Sequence, residues 1–190
     1  MAVFALASSA TTGPVNIIGA MTGARFGTRR ALPFVSGATF CFLMLFLGFG
    51  AGMLAGTAWI LALSRPMTLI GGAYLLWLAW GLLRDGGGRA GPALAQPPGF
   101  WAGAMVQGLN PKAWLAVLSS LSTFVLPLSD PARGLMVFAI LFTAICWGCL
   151  ALWAWGGAGI GQRWLKGFNQ VMAALLALSV VWMLLEAFMR

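Results

Sequence analysis

The sequence predicts an all-α integral membrane protein: six transmembrane helices forming two inverted three-helix repeats, with breaks in helices 1 and 4. Three observations predict it. The 190 residues are 61% hydrophobic and only 7% charged, more apolar surface than a soluble domain of this size can hide. That surface falls into stretches of about 20 residues nearly free of charge, the length a bilayer requires. Two polar, helix-breaking signatures, Thr12-Gly13-Pro14-Val15-Asn16 and Gln107-Gly108-Leu109-Asn110-Pro111-Lys112, interrupt apolar runs near the start of each half. A membrane helix breaks where its freed backbone groups line a cavity for something polar.

Taken in order, the spans are 2–24, 33–56, 66–83, 100–126, 134–156 and 168–188. Turn chemistry fills the gaps. Arg25-Phe26-Gly27-Thr28-Arg29-Arg30 ends span one, and Ser64-Arg65-Pro66 separates spans two and three. Arg84-Asp85-Gly86-Gly87-Gly88-Arg89, followed by Pro92, Pro97 and Pro98, forms the longest loop. Leu128-Ser129-Asp130-Pro131 separates spans four and five, and Gly156-Gly157-Ala158-Gly159 ends span five. The whole chain, 1–190, reads as a single membrane domain: a first repeat over 1–84, a Gly- and Pro-rich flexible linker over 85–99, and a second repeat over 100–190.

A shift of 97 residues sets Gly13-Pro14 against Asn110-Pro111 and Phe4 against Trp101. Each half holds an odd number of spans, so the halves must cross the membrane in opposite senses, which makes the repeat inverted. The loops after spans one, three and five hold Arg25, Arg29, Arg30, Arg84, Arg89, Arg163 and Lys166; the other side holds Arg65, Arg133 and Arg190. The richer side is expected to be cytoplasmic, with both termini outside. A first segment too short to span would leave five spans and a cytoplasmic N-terminus.

The net charge of +8 does not point to nucleic acid, because the basic residues sit singly between apolar runs rather than in a patch. Residues 1–10 resemble a signal-peptide fragment but lack a basic leader and a full apolar core, so they are expected to stay. No soluble domain is expected at either end. Neither a cofactor nor a metal is expected, and the chain does not read as an enzyme.

Asn is a preferred helix N-cap and Pro is favoured at the first helical position, so Asn110-Pro111-Lys112 reads as a helix start. Apolar sequence already runs from Phe100, which puts Asn110 about 15 Å into span four at about 1.5 Å per residue. On one reading the helix breaks there, and Lys112 joins a restarted N-terminus in a buried carboxylate site. On the other, span four begins at Pro111 and Lys112 snorkels to the headgroups. Thr12-Gly13-Pro14 reads likewise, with Asn16 one turn in; the bland alternative is a packing kink. The candidate site residues are Thr12, Gly13, Pro14, Asn16, Gln107, Asn110, Pro111 and Lys112.

Other features read as structural. Ser119, Ser120, Ser122 and Thr123 are expected to bond their own helix backbone. Cys146 and Cys149 share a helix face as two small apolar residues; the competing reading is a redox dithiol in a membrane thiol or electron carrier. Gly48, Gly52 and Gly56 form a face for close helix approach, within the bundle or across a homodimer. Glu186 reads as interfacial.

At these residues the chain resembles the L-lysine exporter (LysE/RhtB-type) family, which includes the homoserine and threonine efflux proteins. The resembling stretches are Thr12-Gly13-Pro14-Val15-Asn16; Gly23-Ala24-Arg25-Phe26-Gly27 through Gly37; Gly71-Gly72-Ala73-Tyr74-Leu75-Leu76-Trp77-Leu78-Ala79-Trp80; and Gly103 through Trp114. The likeness covers residues 8–126 by motif and the last third by hydropathy. Two departures stand out: the family usually shows Thr-Pro-Gly-Pro where Thr12 replaces the first proline, and the acid often found in the fifth span is missing at Ile145-Cys146-Trp147.

The resemblance implies a multi-pass protein of the bacterial inner membrane that exports amino acids or similar small zwitterions without ATP. It places the substrate site around Gly13, Pro14, Asn16, Asn110, Pro111 and Lys112. Alternating access about a midplane site is the expected mechanism, with the carboxylate at Lys112 and the Pro111 helix start, and with Asn16 and Asn110 orienting the amino group. A coupling proton would need a carrier. The chain has no His and no acid deep in a span, which leaves Lys112; without coupling, transport runs down the substrate gradient. A non-transporting scaffold subunit is the third reading.

Overall fold

The structure, a computed structural model, describes residues 1–54 and 96–160, with isolated positions between 69 and 80 and between 164 and 185. The described residues are helical, without strands. The helices are α1 (Ala2–Ala10), α2 (Pro14–Phe26), α3 (Thr28–Leu54), α4 (Phe100–Gly108), α5 (Pro111–Ser120) and α6 (Pro131–Ala158), with a π-helical turn, Leu121–Val125, extending α5. Spans three and six, most of the 85–99 linker, Glu186, most of the Gly71–Trp80 stretch, and Arg65, Arg84, Arg89, Arg163, Lys166 and Arg190 lie outside the described residues.

Both interruptions are present. Span one divides into α1 and α2, bent by 58°. Span four divides into α4 and α5, with Asn110 as N-cap and Pro111 opening the new helix. Among the described residues α3 and α6 are long and apolar enough to cross a membrane, and α1 with α2 is as a bent pair. The order of short helix, break, short helix and long helix thus occurs twice.

Three boundaries differ from expectation. The turn after span one shrinks to Gly27, whose φ of 83° suits glycine and whose N–H closes on the Gly23 carbonyl at 2.8 Å. Arg25 therefore lies in the last turn of α2, while Arg29 and Arg30 belong to the first turn of α3, which starts five residues ahead of expectation. Helix α6 begins at Pro131 rather than 134, because the Asp130 side chain accepts a 3.0 Å bond from the Arg133 N–H and Pro131 gives up no bond there.

Lipid tails are as apolar as leucine, so burial alone does not hold membrane helices together; close packing does. Aromatic rings fill the space between α3 and α6. The Phe42 and Phe142 rings lie 4.6 Å apart, Phe138 stacks on Phe142 at 5.5 Å, and Phe46 meets Phe138 edge-on at 5.5 Å. Two reciprocal glycine contacts bring backbones together. A Cβ at Gly23 would overlap the Ala154 carbonyl and one at Gly157 the Ala20 carbonyl, so α2 and α6 touch main chain to main chain. Gly37 faces the Phe100 carbonyl and Gly103 the Phe34 carbonyl in the same way, joining α3 to α4.

Among the described residues these close approaches do not involve Gly48. No described residue lies within 4 Å of a Cβ position there, whereas Gly37 and Gly50 of the same helix are crowded, the latter against Leu135. The serines behave as expected: Ser120 Oγ donates to the Val117 carbonyl at 2.8 Å and Ser122 Oγ to the Ser119 carbonyl at 3.1 Å.

Candidate functional site

The two breaks meet. Lys112, on the first turn of α5, extends into the gap between α1 and α2. Its ammonium donates to the Thr11 carbonyl at 2.9 Å, the Thr11 hydroxyl at 2.8 Å and the Thr12 carbonyl at 3.2 Å. An ammonium has three N–H donors, so these bonds use its full complement. The Lys112 side chain also lies against Gly13, where an added Cβ would come within 3.2 Å of both its Cδ and its Nζ.

The C-terminal carbonyls of a helix have no partner within the helix, and here other elements supply them. The Thr11 hydroxyl donates to the Ala7 carbonyl at 2.9 Å. Asn16 Nδ2, from α2, donates to the Ser9 carbonyl at 2.8 Å, and Trp153 Nε1, from α6, to the Ala10 carbonyl at 3.1 Å. Lys112 takes the Thr11 and Thr12 carbonyls. Its positive charge sits at the negative end of the α1 dipole.

The second break is closed by its own residues. Asn110 Oδ1 accepts from the Lys112 N–H at 3.1 Å, and Asn110 Nδ2 donates to Gln107 Oε1 at 3.2 Å. Trp114 Nε1 returns to the Gly108 carbonyl at 2.8 Å. The α5 start is thereby capped, whereas Gly13 has no side chain to cap α2. Both the Lys112 N–H at the start of α5 and the Lys112 ammonium are thus bonded within the protein.

A cavity opens beside the joined breaks. Asn16, Gln107, Asn110 and Lys112 are among its polar lining, Val15, Phe42, Phe142 and Leu150 among its apolar lining, and Ser8, Ser9 and Cys146 also border it. Its volume of about 30 Å³ holds a water, not an amino acid, so a cargo needs the walls to part. Of the eight candidates, Asn16, Gln107, Asn110 and Lys112 line the cavity. Thr12 and Gly13 touch Lys112, while Pro14 and Pro111 start their helices without lining it. Among the described residues no group of His, Cys, Asp or Glu is arranged to hold a metal.

Sequence reasoning missed Thr11, Ser9, Trp153 and Cys146. Neither break contains a cysteine, yet α6 brings Cys146 to the cavity, where the Ser9 and Thr39 hydroxyls lie beside its thiol. Cys146 and Cys149 are both free thiols. Thr11 carried one local signal: a second threonine directly before the Thr12-Gly13-Pro14 break.

The family model described as LysE type translocator matches residues 6–188. A cysteine/O-acetylserine efflux protein of Klebsiella pneumoniae subsp. pneumoniae is 32% identical over 192 residues, covering 96% of this chain and 94% of its own. Proteins of the same description from Salmonella choleraesuis and Escherichia coli K12 are 29% and 28% identical over 191 residues, each covering 97% of this chain and 94% of their own. No solved structure is a significant match.

Proposed function

The chain belongs to the LysE type translocator family, and on that premise we propose that it exports small zwitterionic amino acids of the cysteine and O-acetylserine class. The observation that carries the reading is the meeting of the two breaks: a lysine from one half held in the gap of the other, beside a cavity lined by both polar and apolar side chains. Such a site offers a cation for a carboxylate and carbonyls for an ammonium. It leaves little room for a bulky side chain between Phe42 and Phe142.

In this reading Thr12, Gly13, Pro14, Asn16, Gln107, Asn110, Pro111 and Lys112 build the substrate site, with the two prolines setting the helix starts and the polar side chains facing the cargo. The chain crosses the bacterial inner membrane six times as two inverted repeats, and the halves rock about the site. The doubled order of short helix, break, short helix and long helix supports this. Transport is driven by the substrate gradient or by proton exchange, for which Lys112 is the group at the site able to carry the proton.

Reconstituted vesicles loaded with labelled cysteine or O-acetylserine test the proposal. Wild-type protein should release one or both, and Lys112→Met should reduce release to the protein-free rate. Release equal to that of empty vesicles for both cargoes, or an unaffected Lys112→Met variant, would refute it. Replacing Cys146 and Cys149 together by Ala should preserve export; a dithiol carrier would lose its activity.

A further inference from the structure

We infer that Lys112 occupies the place of the substrate's own ammonium, and that a zwitterion binds by inserting between Lys112 and the end of α1. The inference rests on the transport reading above and adds how the cargo is recognised and how its binding releases the halves.

The argument starts from the cage around Nζ. Two backbone carbonyls and a hydroxyl, on Thr11 and Thr12, receive the three N–H bonds of a primary ammonium. The Thr11 hydroxyl donates its own hydrogen to the Ala7 carbonyl, so a lone pair is left to face the cation. The α-ammonium of an amino acid has the same charge and the same three donors as Nζ. What satisfies one satisfies the other. Thr11 and Thr12 are themselves exposed rather than packed into the aromatic core.

Charge then selects the ligand. If an amine lacking a carboxylate took the cage, Lys112 would be left as an unpaired cation in a mostly apolar cavity. If a carboxylate lacking an amine drew Lys112 away, the carbonyls at the end of α1 would lose their partner. A zwitterion leaves neither group unpaired: its carboxylate takes Lys112 and its ammonium takes the Thr11–Thr12 cage. The direct tether between residues 11–12 and residue 112 is replaced by a bridge longer by the amino acid's own backbone. Binding therefore removes a contact that holds the two breaks together, and only a ligand with both charges does so without an unpaired cation or orphaned carbonyls.

The test compares L-cysteine with its two fragments, cysteamine (amine only) and 3-mercaptopropionate (acid only), by thermal stabilisation of the purified full chain under reducing conditions. Wild-type protein should be stabilised by cysteine and by neither fragment. Lys112→Met vacates the cage, so this variant should gain stabilisation by cysteamine that the wild type lacks, and should no longer prefer cysteine over it. Cysteamine silent on Lys112→Met, or as effective on wild type as on the variant, would overturn the exchange.

Should Lys112→Met fail to fold, Thr11→Val keeps both carbonyls and removes the hydroxyl. The free protein then loses a bond to Lys112 and the complex loses the same bond to the cargo's ammonium, so cysteine affinity should stay within about threefold of wild type while the free protein melts at a lower temperature; a tenfold loss of affinity would overturn the exchange. The outcomes separate the two claims. Export by wild-type vesicles with cysteamine silent on Lys112→Met sinks the exchange alone, whereas vesicles that export neither cargo sink the transport reading itself.

Discussion

The two helix breaks are built from similar residues and closed in opposite ways. The second is closed locally: Asn110 caps its own helix, reaches back to Gln107, and Trp114 covers the Gly108 carbonyl. The first is closed from a distance, by Lys112 on α5 and Trp153 on α6, with only Thr11 and Asn16 contributing nearby. A break satisfied by its own residues keeps its shape whatever its neighbours do. One whose carbonyls depend on other helices changes when those helices move, and this is the property a transport site requires.

Four substitutions probe the contrast, and thermal unfolding in detergent measures each. Gly103→Val strikes the seat of the rigid break, since its side chain would overlap the Phe34 carbonyl. It should cost about 3 kcal/mol or more, enough to reduce recovery of folded protein. Asn110→Ala removes the cap and strands the buried Gln107 amide, for about 2 kcal/mol. Trp153→Phe leaves the Ala10 carbonyl without its donor near the surface, for about 1 kcal/mol. Ser122→Ala, which removes only a bond within its own turn, should stay within about 0.5 kcal/mol. A Trp153→Phe cost exceeding that of Asn110→Ala would reverse the comparison and make the first break the rigid one.

Legibility follows the same division. Asn110-Pro111-Lys112 could be read as a helix start because capping acts over two or three residues, and Asn110 does bond the Lys112 N–H. Asp130-Pro131 carries the same chemistry, but a charge-free window places it between spans and so hides the cap. Gly23 and Gly103 stood in recognisable stretches, but their partners, Ala154 and Phe34, are more than 60 residues away along the chain. The glycine spacing on α3 marked a small-residue face, but no periodicity states which neighbour uses it, and among the described residues the close contacts fall at Gly37 and Gly50. Cys146 was legible as a helical cysteine and invisible as a cavity wall.

By itself the sequence determined the apolar segments, the positions of both breaks and the presence of a lysine at one of them, because hydropathy, proline geometry and N-capping all act within a turn or two of helix. Only the tertiary structure decided that Lys112 would face the carbonyls of Thr11 and Thr12, about a hundred residues away. That pairing depends on how the helices pack and in what register, and packing of this kind is set jointly by small residues and rings on several elements.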